Sequence, residues 1–359
     1  MKTLCAALIV KNESNVISRC LSSLKPYIDY WLVCDTGSTD STKEMVQSEL
    51  SEIPGELHEV PWVNFGHNRS ELLRLAKGKA DYLLLIDADE TLSVHDPDFK
   101  NKLNLDSYLI KFEGDLEWRQ KKLVGNHINW EYKGVTHEYI TSNEDKNFQP
   151  ADFISLNHFC DGARRPEKFE DDISLLRKGI KEEPKNCRYW FYLAQTLFDL
   201  GRYKKALKAY DSTIQLSEWD EEIYYSLFKK ALCLKHLKGF FPYDQFFKAH
   251  QFRPSRFEAI HEIIRHFREK GYYDMAYSLC KKEINKPESQ DLLFIDKSLN
   301  NYKLKDELAV CSYWVGEFEE SGRLNEELLK NPKVPEFEKN RIKTNQQFAE
   351  NKIKEKCNY

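Results

Sequence analysis

Asp87, Asp89 and Glu90 fall within four positions, directly after the apolar run Tyr82 to Ile86. Carboxylates this close repel one another, and burying any of them is costly without a positive partner. A solvated acidic turn would meet that requirement, and so would a bound divalent cation. Three more polar clusters invite the same question. Lys11-Asn12-Glu13 follows the run Leu4 to Val10, and Asp35-Thr36-Gly37-Ser38-Thr39-Asp40 follows Tyr30 to Cys34. Asn64-Phe65-Gly66-His67-Asn68-Arg69 opens an amphipathic stretch. Taken singly, each has an ordinary explanation, since Ser, Thr and Asp cap helices and Glu13 suits a helix N-terminus.

The elements that carry these clusters alternate. Leu4 to Val10 is short and apolar, as a buried parallel strand should be. Asn15 to Leu24 places Val16, Ile17, Cys20, Leu21 and Leu24 on one helical face. Tyr30 to Cys34, Gly55 to Val60 and Tyr82 to Ile86 read as strands, with helices over Thr39 to Leu50 and Asn68 to Ala76. Such alternation implies a mainly parallel sheet, in which ligands bind beyond the carboxyl ends of the strands. All four clusters fall on that side, which turns four ordinary features into one candidate site.

From about Pro166 the pattern is helical and repeats. Trp190, Leu193, Ala194, Leu197, Gly201, Tyr203, Ala206 and Tyr210 return 70 residues later as Ile260, Ile263, Ile264, Phe267, Gly271, Tyr273, Ala276 and Cys280. The interval is about twice the tetratricopeptide period, with Tyr224, Leu227 and Phe228 near the halfway register. A weaker copy runs through Leu308, Ala309, Ser312, Gly316 and Phe318. Small residues let paired helices approach and glycines let the chain turn between them, so a tetratricopeptide-like array is expected, with a generic helical bundle as the alternative. The expected division is residues 1–160 for the α/β domain and 161–359 for the all-α domain.

Composition excludes several classes. The 359 residues carry a formal net charge of -4, which gives no electrostatic basis for binding nucleic acid or an anionic membrane. Nine scattered cysteines without a CxxC pair match a reducing compartment. No apolar run approaches the length of a membrane span, and Lys11-Asn12-Glu13 cuts the first one short. A cytoplasmic protein is expected.

With VKNE (Val10 to Glu13), DTGSTD (Asp35 to Asp40), NFGHNR (Asn64 to Arg69) and DAD (Asp87 to Asp89) in this order and spacing, residues 1 to about 145 resemble the family 2 glycosyltransferases. Coupled to tetratricopeptide-like helices, the architecture is similar to a subgroup that includes the bacteriocin peptide S-glycosyltransferases. The resemblance implies a Rossmann-like GT-A fold and a nucleoside-diphosphate sugar as donor, a UDP-sugar in particular. It implies donor contacts at Val10, Asn12, Glu13, Asp35, Ser38, Arg69, Asp87 and Ala88. Asp35 would accept the base's ring N–H, Glu13 would lie alongside the nucleoside, and Arg69 would meet diphosphate or ribose. Asp89 would touch a Mn²⁺ or Mg²⁺ ion directly, with Asp87 beside it. The cation neutralises charge as the sugar–phosphate bond breaks.

The group that takes the acceptor's proton is less determined, because the family's usual acidic pair has no clean counterpart. Gly134-Val135-Thr136-His137-Glu138 occupies that region, after the aromatic and basic stretch from Trp118 to Trp130. Glu138 is the expected base, and His137 is expected as a metal ligand or acid/base group, with local packing as its alternative. A second cluster, His158 with Arg164, Arg165 and Lys168, could close over the diphosphate or be a solvated hinge. The function expected is metal-assisted, inverting transfer to a glycan or peptide acceptor held in part by the helical domain, oligomeric state left open. The rivals are a nucleotidyltransferase, for which VKNESN lacks the Gly-rich triphosphate loop, and a tetratricopeptide scaffold with a decayed first domain.

Overall fold

A computed structural model describes residues 1–113, 118–159, 161 and 166–357. Met1–Thr196 and Leu197–Tyr359 are two compact units. The first contains β1 (Leu4–Val10), α1 (Ile17–Leu24), β2 (Tyr30–Asp35), α2 (Thr42–Glu49), β3 (Gly55–Glu59), α3 (Phe65–Ala76) and β4 (Tyr82–Leu85). It continues through β5 (Glu90–Val94), α4 (Phe99–Lys102), β6 (Ser107–Glu113), β7 (Trp118–Gly125), β8 (Glu131–Lys133), β9 (Tyr139–Thr141) and β10 (Phe148–His158). The helix α5 (Pro166–Glu182) and most of α6 (Cys187–Asp199) complete it.

Eight strands form one sheet in the order β3-β2-β1-β4-β7-β6-β10-β5, and β8 pairs with β9 separately. The pairs β1–β2, β1–β4, β2–β3 and β6–β10 are parallel, while β7 runs antiparallel between β4 and β6, and β5 antiparallel on β10. This is the mainly parallel α/β architecture expected of a GT-A domain. In β1, Leu4, Ala6, Leu8 and Val10 enter one core and Cys5 and Ala7 the other. Burial on both faces explains why this strand reads as an unbroken apolar run. The six strands between Glu90 and His158 had no such signal. β7 begins Trp-Arg-Gln-Lys-Lys and β10 carries Pro150, with the first three residues of β10 exposed.

The second unit is helical: α7 (Tyr203–Leu216), α8 (Asp220–Lys238), α9 (Tyr243–Phe252), α10 (Glu258–Glu269), α11 (Tyr273–Glu283), α12 (Leu304–Trp314), α13 (Phe318–Lys330) and α14 (Glu336–Cys357). A π-helical turn, Leu299–Lys303, leads into α12. The repeat in the sequence has a matching device in the backbone. Gly201, Gly271 and Gly316 have φ of 69°, 78° and 88°. The amide after each glycine donates to the carbonyl five residues back: Arg202 to Leu197 (2.8 Å), Tyr272 to Phe267 and Glu317 to Ser312 (both 2.9 Å). This is the Schellman closure of a helix, repeated three times. Ala206 and Ala276 are fully buried behind the turns, as close helix approach requires.

Candidate active site

β4 ends at Leu85 and the acidic residues form a turn. The Glu90 amide donates to the Asp87 carbonyl (3.0 Å), and the Asp87 amide donates to the Glu90 carboxylate (2.9 Å). Ala88 points into the core, which leaves Asp87 and Asp89 to find different partners. Asp87 Oδ1 accepts from Arg69 Nη2 at 2.5 Å, and Oδ2 accepts from Lys122 Nζ at 3.0 Å. Lys122 also reaches both oxygens of Glu90, at 3.2 and 3.1 Å, and Arg69 Nε donates to Glu138 Oε1 at 2.6 Å. One chain of charge thus runs Glu138–Arg69–Asp87–Lys122–Glu90.

The electrostatics follow from this chain. Burial opposes the charge on Asp87, but Arg69 and Lys122 overcome it and hold the carboxyl well below the usual range. Burial likewise opposes the Lys122 ammonium, and Asp87 and Glu90 outweigh it and raise its pKa. Glu90 moves the other way, raised by burial and by the neighbouring Asp87 charge. The positive charge that the acidic turn requires therefore comes from α3 and β7 for Asp87 and Glu90. Lys122 was not anticipated. Its only trace in the sequence is a lysine leading directly into the apolar Leu123-Val124.

Asp89 is served separately. Its carbonyl accepts from the Phe159 amide (3.2 Å), and its Oδ2 lies 3.2 Å from His158 Nε2. The strand register that sets His158 opposite Glu90 brings these groups together. The hydrogen bond to Asp89 raises the His158 pKa, and the same bond, working against burial, lowers that of Asp89. A carboxylate oxygen and an imidazole nitrogen at this spacing suit a cation whose remaining positions are filled by phosphate oxygens and water.

The expected metal set of Asp87, Asp89 and His137 is not assembled. Among the described residues no group of three or more His, Cys, Asp and Glu side chains is placed to hold a metal ion. Asp87 is occupied by its two cations. His137 has φ 50° and stacks its ring on Tyr192, with centroids 4.0 Å apart.

At the carboxyl ends of β1 and β2, the Lys11–Glu13 and Thr36–Thr42 loops are locked together. The Asn12 amide donates to Ser38 Oγ (2.9 Å), the Thr39 amide to Asn12 Oδ1 (2.7 Å) and the Glu13 amide to Thr42 Oγ1 (2.8 Å). Asn12 and Ser38 thus brace the loops, and the Val10 side chain is in the core while its carbonyl accepts from Thr36. Asp35 is fully buried. Its Oδ1 accepts from the amides of Gly37 (2.9 Å) and Ser38 (2.8 Å), whereas Oδ2 is buried without a hydrogen-bond partner. Orphaned buried carboxylate oxygens are rare and point to a missing donor.

NFGHNR forms the cap and first turn of α3. Asn64 caps α3 by accepting from the His67 amide (2.8 Å), and buried Asn68 braces the preceding loop through Val63 and Pro61. Gly66 sits against the turn at Gly134: a Cβ there would lie 2.2 Å from the Gly134 carbonyl oxygen. The Phe65 amide donates to Val135 (3.2 Å), so α3 and the Gly134–Glu138 turn are fixed to one another. From the helical side, Arg188 Nε and Nη2 both donate to the His137 carbonyl (2.9 and 2.8 Å), and Thr136 Oγ1 donates to Asp172 (3.0 Å). These contacts hold α5 and the start of α6 within the first unit. Beside the Gly134–Glu138 turn lies a cavity of about 420 Å³, bounded by α3, β7 and the turn itself, with Arg69, Asp87, Lys122 and Glu138 in its lining. Tyr132 also lines it, its phenol pushed up to about 12 by burial. The expected contacts at Arg164 and Arg165, and the Lys168 side chain, lie outside the described residues.

Parts of the chain are similar to known proteins. Residues 5–103 match the family described as Glycosyl transferase family 2, and residues 175–208 match Tetratricopeptide repeat. The SPbeta prophage-derived glycosyltransferase SunS of Bacillus subtilis (strain 168) is 24% identical over 226 residues, 57% of this chain and 51% of that protein. An uncharacterized glycosyltransferase, RP128, of Rickettsia prowazekii (strain Madrid E) is 28% identical over 173 residues, 41% of this chain and 56% of its own. The chain spans about half the length of these curated relatives. Among solved structures, S. aureus TarS 1-349 in complex with UDP-GlcNAc aligns over 66% of this chain and 87% of its own at 14% identity, with a TM-score of 0.37. Residues 5–103 are therefore similar to the family 2 glycosyltransferases, and residues 175–208 to a tetratricopeptide repeat.

Proposed function

We propose that this chain transfers a sugar from a uridine diphosphate sugar to an acceptor, with inversion at the anomeric carbon. The observation that carries the reading is Asp35. Its Oδ1 is used up by the loop amides, and its buried, unpartnered Oδ2 is an acceptor awaiting an N–H. The imide N–H of uracil supplies one, and the ring nitrogen of cytosine does not. Asp89 and His158 are the residues that would hold Mn²⁺ or Mg²⁺, which when bound stabilises the negative charge of the departing diphosphate. Glu138 is the base: Arg69 holds its Oε1, and Oε2, with no hydrogen-bond partner among the described residues, receives the acceptor's proton. The acceptor's oxygen or sulfur bonds to the anomeric carbon, the sugar–phosphate bond breaks, and its electron pair leaves with the diphosphate.

The buried cysteines Cys5, Cys20, Cys34, Cys233, Cys280 and Cys311 carry no disulfide, which accords with a reducing, cytoplasmic setting, and no described helix is long and apolar enough to cross a membrane. The helical array, with Trp314, Tyr272 and Met275 exposed, is assigned to binding the acceptor or a partner. The donor assignment is tested by calorimetry with Asp35→Asn. The substituted amide keeps an oxygen for Gly37 and Ser38 and turns an N–H donor toward the base. UDP should bind about tenfold to a hundredfold more weakly, the scale of a hydrogen bond to a charged group, while CDP gains relative to UDP. Unchanged UDP affinity refutes the assignment.

A further inference from the structure

The cavity beside Arg69 and Glu138 contains an imbalance that the transfer reaction does not explain. Four basic side chains line it: Arg69, Lys121, Lys122 and Arg188. Three are paired with carboxylates. Arg69 holds Asp87 and Glu138, Lys122 holds Asp87 and Glu90, and Lys121 holds Asp145. Arg188 has no carboxylate within 4 Å among the described residues. Its Nε and Nη2 are spent on the neutral carbonyl of His137, and its guanidinium lies 5.1 and 4.9 Å from the ring centres of Tyr139 and Tyr192. The cation is thus oriented on three sides but not neutralised, and Nη1 has no hydrogen-bond partner among the described residues. Tyr139, which is 46% exposed, adds an open ring face at the same edge.

We propose that this cavity is the acceptor subsite and that Arg188 binds an oxyanion, phosphate or carboxylate, carried by the acceptor close to its attacking atom. The proposal rests on the transferase reading and adds the acceptor's charge to it. The placement is suited to that role, because Arg188 grips the carbonyl of His137, one residue before the base Glu138. An anion seated on Nη1 is therefore fixed relative to the group that takes the proton. A pre-oriented guanidinium loses little freedom on binding, and its planar donors match the oxygens of phosphate and carboxylate. The carboxylates in the lining do not repel such a ligand at full strength: Arg69 and Lys122 offset Asp87, Arg69 also offsets Glu138, and Asp172 accepts from Thr136. The competing account makes Arg188 a clamp for the turn alone. A clamp has no reason to distinguish an anionic ligand from a neutral one of the same shape.

The test uses three small probes, phenyl phosphate, phenylacetate and 2-phenylethanol, titrated by ligand-observed NMR into the full chain with UDP and Mn²⁺ present to fill the donor site. At least one anionic probe should bind about tenfold more tightly than 2-phenylethanol, the scale of one charge-assisted contact. The tighter of the two anions identifies the group. Arg188→Gln should bring the anionic and neutral probes to within about twofold, and Arg188→Lys, which keeps the charge, should retain part of the preference. Equal binding of anionic and neutral probes to the parent protein overturns the proposal even if Arg188→Gln fails to fold. An anion preference that survives in folded Arg188→Gln overturns it as well. UDP binding in the same samples separates the two levels. Without it the transferase reading falls and this one with it, whereas UDP binding without anion preference overturns this one alone.

Discussion

Replacing Lys122 by Met keeps the length of the side chain and removes the charge that Asp87 and Glu90 share. Lys122 is 6% exposed, and its Nζ is 3.0 Å from Asp87 and 3.1 Å from the nearer Glu90 oxygen. Removing one partner of a buried ion pair costs about 3–5 kcal/mol, because the remaining charge is left uncompensated. Asp87 keeps Arg69, so the exposed weakness is Glu90, whose pKa is already above normal. In the variant that pKa rises further, and Glu90 takes up a proton instead of remaining charged. An acid whose folded pKa lies above its unfolded value binds more protons when folded, so its stability contribution falls as pH rises between the two values. The penalty should therefore be small near pH 5 and grow toward pH 8, reaching about 3 kcal/mol. Urea unfolding at pH 5, 6.5 and 8, followed by tryptophan fluorescence, measures it. Lys122→Met/Glu90→Gln should recover most of the loss at pH 8. A penalty that is the same at all three pH values, or absent, refutes the reasoning.

Gly66→Ala places a methyl group against the Gly134 carbonyl, so it should destabilise the first unit by about 1–3 kcal/mol and weaken Arg188-side contacts, seen as faster hydrogen exchange in the Gly134–Glu138 turn. Full protection there would show that the contact yields freely. Against the pull of burial, hydrogen bonds from Thr42 and Ser14 hold Asp40 at about 2, and those from Lys79, Tyr30 and His58 hold Glu56 at about 2. Both pKa values are depressed, so both contributions are complete above about pH 4.5 and are lost as pH falls toward 2. The urea midpoint should fall over that window, and less steeply in Asp40→Asn; parallel curves would remove Asp40 from the account. Chelation should abolish donor turnover, and Asp89→Ala and His158→Ala should each weaken Mn²⁺-dependent UDP binding about tenfold or more. UDP binding that is indifferent to metal in both variants and the parent would exclude the pair as cation ligands.

The parts of this site that the sequence displayed are those set by contiguous residues. β1 and β2 lie where the apolar runs placed them, and Asp35 sits at the end of β2 with its loop amides two and three residues away. What stayed hidden depends on pairing between distant segments. Lys122 reaches Asp87 because β7 runs antiparallel to β4, with Leu123 opposite Leu84. His158 meets Asp89 through the register of β10 with β5, 69 residues apart in the chain. β7 and β10 are half-exposed and interrupted by charge or proline, so neither strand has the apolar run that betrays a buried one. His137 shows the other limit. Its neighbours in sequence suggested a metal ligand, but a left-handed backbone turn sends its ring to Tyr192 in α6.

The three glycine turns of the second unit have a mechanical consequence. Successive helices from α7 to α14 pack each on the next, and the turns at Gly201, Gly271 and Gly316 close in the same way. Stacked repeats of this kind bury a continuous core from Tyr224 to Ile342 mainly between neighbouring helices, so a deformation is expected to spread as small rotations between neighbours. Such an array is expected to be elastic along its length. A ligand that widens one part of it meets a shallow restoring force rather than a barrier, and the pitch of the helices adjusts to the ligand's shape. Damage is equally local: loss of the closure at Gly316 softens α12 and α13 and leaves the hairpin at Gly201 intact.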